Sequence, residues 1–82
     1  MATFIGIHKF DAGIGDETIR GKWSKYKDSC AKLSLKPVNL YLNGDQGAAF
    51  CITEASNGEE VRKAHEDAGL TVDEVIEVRV SE

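Results

Sequence analysis

Imidazole and thiol groups are scarce in this 82-residue chain, which has two histidines and two cysteines, so their positions carry weight. His8 and Cys51 form the sharpest pair. If they face one another on adjacent strands, their Cβ atoms lie about 4.5–5.5 Å apart, or about 7–8 Å on the diagonal. A ring nitrogen and a thiolate at that separation can share one ion. The mixed nitrogen and sulfur donors suit zinc, nickel or copper better than magnesium or calcium. Two ligands are too few, so Glu54, Glu77, water or a second subunit must supply the rest. The plain alternative is an exposed strand histidine and a small packing cysteine. His65 reads as a core-edge histidine with a hydrogen-bonded ring, or as half of a separate, weaker site with Glu54. Cys30 reads as inert packing.

The remaining pattern excludes other chemistry. There is no Cys-x-x-Cys motif for heavy metals, and Gly13-Ile14-Gly15 falls short of a phosphate-binding loop. No serine, histidine and acid are placed for nucleophilic catalysis. An RNA-recognition strand needs a base and several aromatics, but Gln46 to Thr53 has one aromatic, Phe50, and no base. A net charge of −4 also argues against nucleic acid. Six of ten basic residues lie between Arg20 and Lys36 and nine of fourteen acids between Glu54 and Glu82, as expected for two differently charged solvated helix faces. The first residues lack the cationic start and apolar core of a signal peptide. No run approaches the roughly 18 apolar residues of a membrane span. Cys30 and Cys51 are therefore expected to be reduced thiols in a cytoplasm.

The elements that must position these residues follow from periodicity. Thr3 to Phe10 is β-branched and aromatic, a first strand. Asp16 is placed to cap a helix in which Ile19, Trp23, Tyr26, Cys30 and Leu33 form one apolar stripe. Pro37 ends that helix, and Val38, Leu40 and Leu42 alternate with polar neighbours in a second strand. Asn43 to Gly47 is a turn signal before a third strand, Ala48 to Glu54. Ser56 and Asn57, with Glu59 and Glu60, offer capping boxes for a second helix with Val61, Ala64, His65 and Ala68 on its inner stripe. Gly69 suits its C-terminal cap, and Val72 to Val80 is the last strand. The order βαββαβ predicts one α+β domain, a ferredoxin-like sandwich with a four-stranded antiparallel sheet and both helices on one face. A chain this short buries only about 60–65% of its unfolded surface, so a homodimer is expected.

Hydropathy assigns the faces. Ile5, Ile7, Leu40, Phe50 and Ile52 are expected to face the helices, with Leu40 opposite Phe50 across the hairpin. Phe4, Gly6, His8, Phe10, Tyr41, Cys51, Val75, Glu77 and Arg79 then occupy the helix-free face. On that assignment the sheet separates His65 from Cys51. A one-residue slip would exchange the faces of the third strand.

The run Gly47-Ala48-Ala49-Phe50-Cys51-Ile52-Thr53-Glu54-Ala55 resembles a signature, Phe-Cys-x-x-Glu-Ala-Pro, of a bacterial family of small ferredoxin-like proteins that includes an actinobacterial nickel-binding protein. Ala64-His65-Glu66-Asp67-Ala68-Gly69 and Asp73-Glu74-Val75-Ile76-Glu77-Val78 are similar to its second helix and acidic last strand. Gly6-Ile7-His8-Lys9 resembles its first-strand histidine. The resemblance implies a dimeric ferredoxin-like sandwich that binds divalent metal, with His8, Cys51, Glu54 and His65 as ligands. The chain departs from the family at Gly6, where an acid is common, at Ala68, where a histidine is common, and at Ser56, where proline is usual. The expected function is a cytoplasmic, metal-binding homodimer rather than an enzyme, with nickel or zinc as the ion. The rival is a dimeric α+β barrel module that holds a small organic molecule through Tyr41, His8 and Glu77, in a pocket between sheet and helices, between subunits, or on the open sheet face.

Overall fold

The computed structural model describes Met1–Ser81. Six elements follow in the order β1 (Ala2–Lys9), α1 (Asp16–Lys32), β2 (Lys36–Asn43), β3 (Ala48–Ala55), α2 (Gly58–Asp67) and β4 (Glu74–Val78). The strands form one sheet in the order β2-β3-β1-β4, every neighbour antiparallel. Both helices cover one face, as the ferredoxin-like pattern predicts. No helix among the described residues is long and apolar enough to cross a membrane.

Local chemistry explains where the helices start. Asn57 caps α2, its Oδ1 accepting from the Glu60 amide at 3.0 Å, while the Glu60 carboxylate accepts from the Ser56 amide at 2.9 Å. Gly69 follows with a positive φ of 73°, the left-handed turn that ends a helix without a Cβ penalty. At α1 the expected side-chain cap is absent. Gly15 occupies the cap position, and the Asp16 carboxylate accepts from the Gly44 amide at 2.6 Å. Asp16 thus ties the start of α1 to the β2–β3 turn. A side chain at Gly44 would run into the Gly15–Asp16 peptide, so the two loops interlock only because Gly44 has none.

The expected faces are reversed on β1, β3 and β4. Leu40 pairs with Cys51 rather than Phe50, and Cys51 pairs with Gly6 on its other side. Phe4, Gly6, His8, Ala49, Cys51, Thr53 and Ala55 lie buried beneath the helices. Ile5 pairs with Ile52 and Ile76, and Ile7 with Phe50, on the helix-free face. Phe50 and Ile76 are 37% and 43% exposed there. The cause is steric. The helices project Tyr26, Trp23 and His65 onto the sheet, so the strands offer small residues under them, and the larger aliphatic side chains turn the other way. On β2, Leu40 faces the core as expected, but Val38 falls at an irregularity between Pro37 and Asn39 and is exposed.

Candidate metal centre

Three elements bring one donor each to a single point. His8 comes from β1, Cys51 from the centre of β3, and His65 from the buried stripe of α2. Cys51 Sγ lies 3.5 Å from His8 Nε2 and 3.6 Å from His65 Nε2. The three donor atoms all fall within 4.8 Å of one another. His8 and Cys51 therefore share a face, as expected, but it is the helix-covered one. The sheet does not separate Cys51 from His65. Glu54 has the opposite parity to Cys51, pairs with Thr3 and Lys36, and is not part of the cluster. Cys30 and Cys51 are both free, buried thiols.

The far side of each ring is fixed by backbone. His8 Nδ1 lies 2.9 Å from the Thr71 carbonyl oxygen and His65 Nδ1 lies 2.7 Å from that of Val61. A carbonyl only accepts, so both Nδ1 atoms are assigned the proton and both Nε2 atoms a bare lone pair aimed at sulfur. The Cys51 thiol has one proton and can satisfy one of them. The other Nε2 then has no proton to accept from that thiol. Carbonyls that orient metal-bound imidazoles do so in this same manner.

Burial keeps the centre uncharged. It pushes the Cys51 thiol up to about 11, against backbone amide hydrogen bonds that favour the thiolate. It pulls His65 down to about 4, despite the Val61 carbonyl, and lowers His8 as well. Both imidazoles are thus neutral and ready as ligands at ordinary pH, whereas Cys51 must lose its proton to become one.

The two sulfur–nitrogen separations suit an ion. Zinc–sulfur and zinc–nitrogen bonds of about 2.3 and 2.0–2.1 Å set a tetrahedral sulfur–nitrogen edge of about 3.5 Å. The two observed separations, 3.5 and 3.6 Å, match it. Gly6 makes room for the sulfur, because a Cβ there would lie 2.6 Å from Cys51 Sγ. The Tyr26 ring stacks on His65 with centroids 4.1 Å apart, and its hydroxyl shares a 2.6 Å hydrogen bond with Thr53 Oγ1. His8 stacks on Phe10 at 5.9 Å. A cavity of about 170 Å³ opens beside the donors, walled in part by Phe10, Trp23 and Leu40. Gly6, Tyr26 and the two carbonyls escape a reading of the sequence by residue chemistry. The run of small residues on β3 opposite an aromatic stripe on α1 is the signal that would have found this arrangement.

A family model described as "Nickel responsive protein SCO4226-like" matches residues 4–78. The chain belongs to the SCO4226-like family. The resemblance read from Gly47 to Val78 and from His8 is borne out by that match. A crystal structure of SCO4226 from Streptomyces coelicolor A3(2) aligns with a TM-score of 0.88, covering 99% of this chain and 100% of that one at 23% identity. At that identity the likeness establishes the shared fold. Among curated proteins none matches significantly. The SCO4226-like chain described here thus joins a family whose name refers to nickel to a buried His/Cys/His cluster of its own.

Proposed function

We propose that this SCO4226-like protein binds a transition-metal ion, nickel or zinc, through His8, Cys51 and His65, and that it stores or senses the ion rather than catalysing a reaction. The convergence of two proton-free Nε2 atoms on one thiol carries this reading. A core built only for packing has no need to aim two imidazole acceptors at one thiol, which has a single proton to give. The residues act in a defined way. The Thr71 and Val61 carbonyls hold the rings in one tautomer, Cys51 releases one proton as it becomes a thiolate, and Tyr26 packs against His65 to fix its plane. A bound ion would supply positive charge and Lewis acidity at the base of the cavity.

We propose further that the protein pairs as a homodimer through its helix-free face. The helix-free face presents Ile5, Ile7, Phe50, Ile52 and Ile76 side by side. Four strands at about 4.8 Å and some seven residues at about 3.3 Å span roughly 450 Å² in projection. That area is the whole face, on which these five apolar side chains sit among polar neighbours such as Thr3, Asn39 and Glu74, and the largest apolar patch on a protein is often functional. A second copy supplies an equally apolar flat face. The rival reading, an organic ligand, loses His8 from the open sheet face because His8 lies under the helices, whereas the cavity between sheet and helices keeps it.

The test is titration of tag-free, reduced protein with nickel and with zinc, followed by calorimetry, for the wild type and Cys51→Ser. One ion per chain is expected in the wild type, with affinity reduced at least about a hundredfold in the variant, the larger end of the losses seen when a metal site is disturbed. Equal and negligible binding by both proteins would sink the reading.

A further inference from the structure

We infer that the cavity beside Cys51 receives a small organic monoanion with an apolar body, whose acidic group takes the coordination position that His8, Cys51 and His65 leave open. The inference rests on the metal-binding reading above and adds the ligand class that the site would take.

Coordination number gives the first reason. The cluster offers three donors, and no Asp or Glu among the described residues joins it. A tetrahedral site with three protein ligands keeps one position for an exogenous group, whereas purely structural sites close all four. All three donor residues line the cavity, so the position they leave faces space that a ligand can enter.

Charge gives the second. A divalent ion with one thiolate and two neutral imidazoles leaves one uncompensated positive charge. His8, Cys51 and His65 are 9%, 2% and 1% exposed, and an unpaired charge so placed is costly. A monoanion removes it. Lys22, half-buried on the cavity wall, holds its Nζ 5.7 Å from the centre of the Phe10 ring and favours the approach of an anion.

Size and lining give the third. The cavity measures about 170 Å³. A dry apolar cavity of about 150 Å³ accommodates benzene. Phe10, Trp23 and Leu40 supply flat and aliphatic walls, so a body the size of one aromatic ring fits.

The probes are acetate, benzoate and the neutral benzyl alcohol, titrated into metal-free, zinc-loaded and cobalt(II)-loaded protein. Calorimetry reads affinity, and the visible spectrum of the cobalt form reads coordination. Benzoate is expected to bind the zinc form at least about tenfold more tightly than the metal-free form, and more tightly than acetate or benzyl alcohol. By linkage it tightens zinc by the same factor. It should also shift the cobalt spectrum. Lys22→Met should weaken benzoate for the zinc-loaded protein about fivefold. If zinc and cobalt bind but neither carboxylate alters the spectrum or the zinc affinity, this inference is overturned and the metal site stands. If neither ion binds, the underlying reading falls and takes this one with it.

Discussion

The two faces of the sheet are built from opposite materials. Beneath the helices lie Gly6, His8, Ala49, Cys51 and Thr53, small or polar residues. On the helix-free side lie Phe50 and all four of the sheet's isoleucines, Ile5, Ile7, Ile52 and Ile76. An isolated sandwich has no reason for such an inversion. It becomes sensible if the covered face is the floor of a site, where small side chains leave room for donors, aromatic rings and a cavity, and the bare face is an interface. The core as a whole is accordingly shared: Phe4, Tyr26, Leu35 and Val61 seal the domain around the cluster rather than filling it. Each face therefore predicts its own kind of failure.

The largest effect belongs to the covered face and to pH. His65 in the unfolded chain takes up a proton near 6.5, but in the folded domain only at about 4. Between those values the unfolded chain binds more protons, so stability rises with pH there. Cys51 behaves in reverse. Its folded thiol keeps the proton up to about 11, against 9.0 when unperturbed, so stability falls as pH climbs above 9.0. The metal-free domain should be most stable between about 6.5 and 9.0. It should lose on the order of 3 kcal/mol on acidification toward pH 4, which urea unfolding at several pH values would measure. Zinc changes the picture because binding expels one thiol proton. Its affinity should rise about tenfold per pH unit through neutrality, with one proton released per ion. Release of two or more would mean that an imidazole is protonated in the metal-free state. A flat acid limb would mean that the covered face is wetter than its packing implies.

The bare face should respond to charge instead. Replacing Phe50 and Ile76 together with lysine places like charges in the centre of the proposed interface. The dimer should weaken by about thirtyfold or more, equivalent to about 2 kcal/mol, as read by analytical ultracentrifugation. The monomer so released should keep its far-ultraviolet spectrum and its metal stoichiometry, because neither residue touches the cluster. A wild type that sediments as a monomer at all concentrations would remove the reason for an apolar outer face. A double variant that loses metal would show that the two faces are not independent.

The inversion also explains what was legible in the sequence. Element order was plain, because the α1 stripe of Ile19, Tyr26 and Cys30 and the strand alternation are strong, local patterns. The pairing of His8 with Cys51 on one face followed from strand parity alone. Which face it was did not. Parity leaves two choices, and ranking them by hydropathy selects Phe50 and Ile52 for the core, which is wrong in a protein whose outer face is also apolar. The hairpin compounded this. A turn from Gly44 to Gly47 brings Asn43 opposite Ala48, one residue away from the register that places Leu40 across from Phe50. His65 reads as pointing inward, as it does, but the face error parts it from Cys51, so only the family resemblance puts the two in one ligand set. Glu54 was proposed both as a spare carboxylate near the strand end and by family likeness, while its parity opposes that of Cys51.

Gly6 sharpens the comparison at its smallest scale. Its backbone has no positive φ, so alanine meets no conformational barrier there and should ordinarily stabilise a strand by about 0.4–1 kcal/mol. On the covered face the new methyl would stand 2.6 Å from Cys51 Sγ, with Val72 and His65 closing the other sides at 3.5 and 3.6 Å. The sulfur must rotate away, and overpacking of this kind costs about 1–3 kcal/mol. Gly6→Ala should therefore cost a net of about 1 kcal/mol and abolish zinc binding, since the displaced sulfur no longer meets both Nε2 atoms. Cys51→Ala removes the obstacle. In the double variant the alanine at position 6 should turn from destabilising to neutral or stabilising, a coupling that thermal unfolding of all four proteins would reveal. Additive effects would mean that Gly6 is not holding the thiol in place, and the fit of the cluster to a single ion would then need another cause.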